Sequence, residues 1–317
     1  MNLILLDDPI WRTFFAASPD GRINTTSATS DASTLFTNGS TATTIDKVAP
    51  QTKRPRTTDV TFVTSLSKTD PRATHITKHL KKNVGDRIRI GFLDGGPVGE
   101  AKLLDDDKNN DDETLSLEID LKSLRPPPDR PCVHLLLGVS FPKVIKQLWP
   151  IIVSLGVESV SYVSAALTNP DFLKTSVLTE NGYMPLVKEG LAQAEDTRIP
   201  HISTPTEYHT DGIQRWLKNA DLWFHDDKLA CKIVLHIGNH KPIRNICNHK
   251  CHGQPKSILL AIGPERGWTD DEVELFQTQG FYLGSLGTPV LKTETAVIAG
   301  IALARDVLIE NEENSKV

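Results

Sequence analysis

Two short segments carry glycine and charged side chains at spacings suited to holding a ligand. The first runs from Leu259 to Glu272, where an apolar stretch ending at Ile262 enters the turn Gly263-Pro264-Glu265-Arg266-Gly267 and then a helix start. Thr269 can cap that helix, and Glu272 three residues on can complete a capping box. Gly263 and Gly267 remove the Cβ atoms that would keep a ligand away from the backbone amides. The segment is no phosphate-cradling P-loop, because the Lys of that motif and its spacing are missing. A second turn, from Gly284 to Ala296, contains Gly287, Lys292 and Glu294 and opens a final apolar helix through Val297 to Leu308. Taken alone, either turn also fits an ordinary strand-to-helix connection. Together, at the carboxyl edge of one sheet, two glycine loops would form a pocket wall.

Two other clusters hold reactive residue types. His236, His240, Cys247, His249, Cys251 and His252 are zinc-ligand types within a short span. Their Cys-x3-Cys-His spacing matches no standard zinc knuckle, and the span reads as a Lys/Asn-rich loop between strands, so no metal is expected. Lys78, Lys81, Lys82, Arg87 and Arg89 form a basic cluster with few acids beside it. It could contact RNA phosphates or be a solvated strand edge. A net charge of −5 argues against whole-surface binding to nucleic acid and leaves such local patches as the means of contact.

These residues need elements to position them. Beyond Pro131 short apolar runs alternate with helical patterns. Val133 to Leu137, Val160 to Val163, residues near Ile199 to Ile202, Ile233 to Ile237 and Ile258 to Ile262 read as strands. Helices are expected from Val144 to Leu155, ending at Gly156, then over Met184 to Asp196 and Gly212 to Ala220. The repeated strand-helix-strand order implies a mostly parallel sheet covered on both faces. Before the prolines at 126–128 and 131, the alternation of Ile88, Ile90 and Phe92 with Arg87, Arg89 and Gly91 has a strand's period of two, in a small β-rich module. From about 18 to 59 the chain is rich in Ser, Thr, Asn and Asp and is expected to be a disordered insertion. Within it Lys53-Arg54-Pro55-Arg56 is assigned no function. An acidic run over 105–113 reads as a hairpin loop.

At 317 residues and 38% apolar composition, the chain can bury two cores. No stretch reaches the roughly 20 apolar residues of a membrane span. The start lacks the marks of a secretory signal or transit peptide and reads as a first strand. The four cysteines, Cys132, Cys231, Cys247 and Cys251, have no disulfide-framework spacing, which favours a reducing compartment.

The pair GPERGWTDDEV and SLGTPVLKTETA resembles the signature pair of the RsmE family, usually near GPEGGF and LGPRILRxETA. Glu189 to Ala194 with Arg198 resembles that family's E-x-x-x-QA helix, and Leu155-Gly156-Val157 resembles its ELGV turn. In the amino-terminal module, His75-Ile76, Leu80-Lys81 and Gly85-Asp86 resemble its H-x-x-x-VLR-x-x-x-GD pattern. Arg266 stands where Gly is usual, Pro289 where Arg is common, and Lys292 and Lys81 replace Arg. The likeness spans nearly all the chain outside the insertion.

This resemblance implies an α/β SPOUT methyltransferase domain with a carboxyl-terminal trefoil knot over 131–317, preceded by a small PUA-like β-barrel, an RNA-binding domain, over 1–125. It implies S-adenosylmethionine as cofactor, lined by Ile262, Gly263, Pro264, Glu265, Gly267, Leu286, Gly287, Val290, Leu291 and Thr293. The implied reaction is methylation of N3 of a uridine in small-subunit ribosomal RNA. Lys292 would favour the uracil anion and Glu294 would accept the proton, although a phosphate contact and a helix-start carboxylate remain their respective alternatives. RNA would dock on Lys78, Lys81, Lys82, Arg87 and Arg89, with Arg266 restoring the cation lost at Pro289. A homodimer is expected, with no membrane or DNA partner, in the cytoplasm or in a plastid or mitochondrion. Two alternatives stay open: an RNA-binding ribosome-assembly protein that has lost turnover, and a SPOUT enzyme acting on another RNA.

Overall fold

In Thr114–Asp120 buried and half-buried residues alternate strictly, as expected of a strand with one face against a core. The computed structural model describes residues 3–7, 12, 61–104, 114–205, 212–219, 230–251 and 255–314. The insertion at about 18–59, its basic run and the acidic run at 105–113 lie outside the described residues. Two compact units result, one comprising Met1–Pro128 with Glu195–Arg198, the other Asp129–Ala194 with Ile199–Val317.

The first unit is built on a five-stranded sheet. Its strands are β1 (Ile4–Leu6), β2 (Thr61–Ser67), β3 (Arg87–Phe92), β4 (Val98–Leu103) and β5 (Thr114–Asp120), in the order β1-β3-β4-β5-β2. All pairings are antiparallel except that of β1 with β3. The inner face buries Ile88, Ile90, Phe92, Leu103, Leu117 and Ile119 in one cluster. Between β2 and β3, Pro71–Thr74 forms a helical turn, α1, that continues as a π-helical turn over His75–His79. Asp70 caps α1 by accepting from the Arg72 amide, and it pairs with the Arg72 guanidinium at 2.7 Å. That hydrogen-bonded cation holds the Asp70 carboxyl below the usual carboxylate range. Glu195–Arg198, assigned from sequence to the second domain, packs with the first unit. The buried Thr197 donates its hydroxyl to the carbonyl of Gly96 at 2.5 Å.

The second unit holds a seven-stranded sheet in which every pairing is parallel. Its strands are β6 (Cys132–Gly138), β7 (Ser159–Val163), β8 (His201–Ser203), β9 (Ala230–Leu235), β10 (Lys241–Pro242), β11 (Ser257–Ile262) and β12 (Tyr282–Ser285), ordered β10-β12-β9-β11-β6-β7-β8. Every residue of β7 and of β11 is buried, as covering of both faces requires. The helices are α2 (Pro142–Ser154), α3 (Glu180–Ala194), α4 (Gly212–Asn219), α5 (Ile243–Lys250), α6 (Asp270–Thr278) and α7 (Thr293–Asn314). Gly156, with φ of +70°, ends α2 in the left-handed conformation that glycine adopts at least cost. Where α3 crosses α2, a side chain at Gly190 would collide with the backbone of Pro150, so the glycine permits the close approach.

Two features of this unit were not legible in the sequence. The Lys/Asn-rich span after β9 contains a helix, α5, whose inward face buries Ile243, Ile246 and Cys247. Three apolar anchors at helical spacing were overlooked among polar neighbours. The cysteine spacing, read as favouring a reducing compartment, also gave no sign that Cys231 on β9 and Cys251 just past α5 form a disulfide. A separation of 20 residues shows no framework, and only the packing of α5 brings the two together. Cys247 lies 3.7 Å from the Cys231 sulfur, and burial pushes its thiol up to about 11. Among the described residues no helix is long and apolar enough to cross a membrane, and no group of His, Cys, Asp and Glu is arranged to hold a metal.

Candidate functional site

The turn after β11 is shaped by its own backbone. The Gly267 amide donates to the Pro264 carbonyl at 2.8 Å, and Gly267 takes a φ of +73°, which a side chain would strain. The capping box expected at the following helix forms. Thr269 accepts from the Glu272 amide, while the Glu272 carboxylate accepts from the Thr269 amide at 2.8 Å and fixes the start of α6.

The second turn, after β12, is held by Ser285, whose hydroxyl oxygen accepts from the Gly287 amide at 3.1 Å. Gly287 has a φ of +113°. In the sheet β12 and β11 flank β9, so the two turns stand on either side of that strand's carboxyl end.

Between them lies a cavity of about 180 Å³. Ile262, Gly263, Pro264, Glu265 and Gly267 line it from one turn, and Leu286, Gly287, Val290, Leu291 and Thr293 from the other. All ten positions named from the sequence for a cofactor therefore meet at one place. Arg266 lines it too. Sequence reasoning missed Leu235, His236 and Ile237, which line it from the end of β9, and also Trp268 and Ala296. The signal was available for the first three, since residues leaving a central parallel strand fall at the ligand-binding edge.

The structure does not bring Lys292 and Glu294 to this wall. Lys292 is exposed just before α7, with its carbonyl accepting from the Ala296 amide, and Glu294 is half-buried in the first helical turn. In the other unit, Lys78 and Lys81 are exposed and Lys82 is half-buried. Arg87 pairs with Glu100 at 2.9 Å, and Arg89 pairs with Glu195, so carboxylates already engage two of the five basic groups.

A second cavity, of about 490 Å³, opens at the carboxyl ends of β6, β7 and β11. Its lining includes Val139, Phe141, Asn169 and Phe172, and it shares Pro264, Glu265 and Arg266 with the first. The Glu265 carboxylate accepts from the Phe141 amide at 2.8 Å, which ties the shared turn to the start of α2.

Comparison with known proteins accords with this geometry. The family model of an RNA methyltransferase domain matches residues 128–305, which contain both cavities. The chain is 26% identical over 255 residues to the ribosomal RNA small subunit methyltransferase E 1 of Borreliella burgdorferi, covering 78% of this chain and 95% of that protein. It is 27% identical to ribosomal RNA small subunit methyltransferase E of Treponema pallidum, over 75% of this chain and 84% of the relative. The RsmE likeness read from the two glycine turns is borne out by these names.

Among solved structures, the ribosomal RNA small subunit methyltransferase E of Neisseria gonorrhoeae, bound to S-adenosylmethionine, superposes with a TM-score of 0.59 at 19% identity, covering 78% of this chain and 93% of that one. A Legionella pneumophila protein solved with the same cofactor gives a TM-score of 0.61 at 21% identity, over 80% of this chain and 95% of its own. Those structures share the fold. With the model spanning more than half of the sequence and enclosing the whole glycine-lined site, the chain belongs to the RNA methyltransferase domain family.

Proposed function

We propose that this protein transfers a methyl group from S-adenosylmethionine to N3 of a uridine in small-subunit ribosomal RNA. The observation that carries this reading is the convergence of both glycine turns on one cavity. The residues present fit the cofactor. Gly263 faces Gly267 so closely that a Cβ there would lie 3.1 Å from the Gly267 backbone, and the added side chain of any larger residue would begin to fill the cradle. Beside it the buried indole N–H of Trp268, also in the lining, has no hydrogen-bond partner. Leu286, Val290 and Leu291 supply apolar surface for the adenine, and the backbone of the two turns supplies polar groups.

When bound, S-adenosylmethionine supplies a sulfonium methyl that is already electrophilic. What remains for the protein is orientation and removal of the N3 proton, and orientation dominates such a displacement. In this reading Lys292, exposed beside the second turn, raises the fraction of uracil anion through its charge. Glu294, in the first turn of α7, receives the N3 proton. The carboxyl-terminal unit is read as a SPOUT domain whose trefoil knot forms around these turns, supported by their placement on either side of β9. The amino-terminal unit is read as a PUA-like barrel docking RNA through Lys78, Lys81 and Lys82. Ile298 and Ile309, exposed on the same side of α7, support a homodimer.

Mass spectrometry of small-subunit RNA from cells with and without the protein tests the reaction. A methylated uridine that disappears on deletion and returns with the wild-type gene is expected; an unchanged RNA overturns the proposal. Calorimetry with S-adenosylmethionine distinguishes an RNA-binding protein without turnover, which would give no heat.

A further inference from the structure

We infer that the second cavity is the subsite for the unstacked target nucleotide, with Phe141 as its stacking platform and Arg266 as its phosphate or carbonyl clamp. This deepens the proposed function and rests on it. A methyl acceptor must abut the methyl donor, and the turn Pro264-Glu265-Arg266 is a wall common to both cavities. The acceptor side has the chemistry that single nucleotides require. Phe141 is 52% exposed although it is a large aromatic residue, and its ring lies 4.9 Å from that of Phe172. Together they offer an accessible π-surface at the edge of the site, the feature on which unpaired bases stack.

Polar groups complete it. The carbonyl oxygen of Asn169 accepts from the Asp171 amide at 3.0 Å, so its NH2 is left to donate to a pyrimidine carbonyl. Arg266 forms no ion pair among the described residues and can meet a phosphate or base edge. Its position in place of the glycine usual in RsmE sequences gives this chain a cation on the acceptor side of the turn. The hydrogen bond from the Phe141 amide to Glu265 holds the platform in fixed register with the donor cavity. A base flipped onto Phe141 is therefore presented to the turn that lines both sites.

The test uses the full chain and two readouts. In the first, methylation of small-subunit RNA is measured for Phe141→Ala and Phe141→Trp alongside S-adenosylmethionine affinity. Phe141→Ala should lower kcat/KM by about tenfold or more, as loss of a base-stacking aromatic does, with cofactor Kd unchanged, and Phe141→Trp should restore it. Turnover by Phe141→Ala equal to wild type overturns the inference. In the second, a single-stranded RNA pentamer carrying 5-iodouridine is photocrosslinked and the modified peptide mapped, with no turnover needed. Crosslinks to the peptides bearing Phe141 or Phe172, competed by unlabelled pentamer, support the subsite; crosslinks only elsewhere, or none, overturn it. If wild type shows no turnover, the proposed reaction fails while the crosslink still decides the subsite.

Discussion

Strands β5 and β11 both place leucines in a core, but they do so under different rules. In β5, Leu115, Leu117 and Ile119 are buried while Ser116 and Glu118 between them are half-exposed. In β11 all six residues from Ser257 to Ile262 are buried. β5 and its antiparallel neighbour β2 have one covered face, whereas β11 in the parallel sheet is covered on both. The difference teaches where a ligand can sit. A sheet covered on both faces leaves its carboxyl edge, where strands stop and turns begin, as the place for a cavity. Both cavities with chemical promise lie at that edge.

The largest effect should come from testing this rule directly. Leu259→Ala and Leu260→Ala, at adjacent positions of β11, should each destabilise the second unit by about 2–5 kcal/mol. In β5, Leu117→Ala should fall in the same range, and its neighbour Glu118→Ala should stay within about 0.5 kcal/mol. Urea unfolding measures all four; a cheap substitution at Leu259 would break the contrast.

A smaller effect is expected where β6 meets the turn after β11. At Gly138 a Cβ would come within 2.8 Å of the Pro264 backbone nitrogen and closer still to the proline ring. Gly138→Ala should therefore cost about 1–3 kcal/mol in stability through overpacking. It should also weaken S-adenosylmethionine binding about tenfold by displacing the turn, read by calorimetry. Unchanged affinity would show that the edge tolerates movement of the turn.

The smallest effect concerns the first unit. Lys78→Ala or Lys81→Ala should each reduce the slope of log affinity against log salt for RNA by about 0.7–0.9. Arg87→Ala should reduce it less, because Glu100 already occupies that guanidinium. Equal slopes for all three would mean that the pairing opens on binding RNA.

Much of the second unit was legible because its signals are local. The apolar runs of β6, β7, β9 and β11, the glycine that ends α2 and the Thr269–Glu272 capping box each depend on residues within a few positions of one another. The helix α5 was not legible, since Lys, Asn and His dilute its three apolar anchors. The disulfide escaped for a related reason, because Cys231 and Cys251 become neighbours only once α5 folds back beside β9. The pairing of Arg89 with Glu195, 106 residues away, was equally hidden, so a cluster that looks free of acids in sequence is partly neutralised in space.

The sequence by itself determined most strands and helices of the second unit, their strand-helix-strand order and the two glycine turns, including ten of the positions that line the cavity between those turns. Hydrophobic period, helix caps and the need for positive φ are short-range physics written into neighbouring residues. Tertiary structure alone decided that the turns face each other across β9, that Lys292 and Glu294 stand off the wall, and that Phe141 is tied to Glu265, 124 residues away, beside a second cavity. Those outcomes depend on strand order and close packing, which bring distant residues together by burying surface that no local pattern encodes.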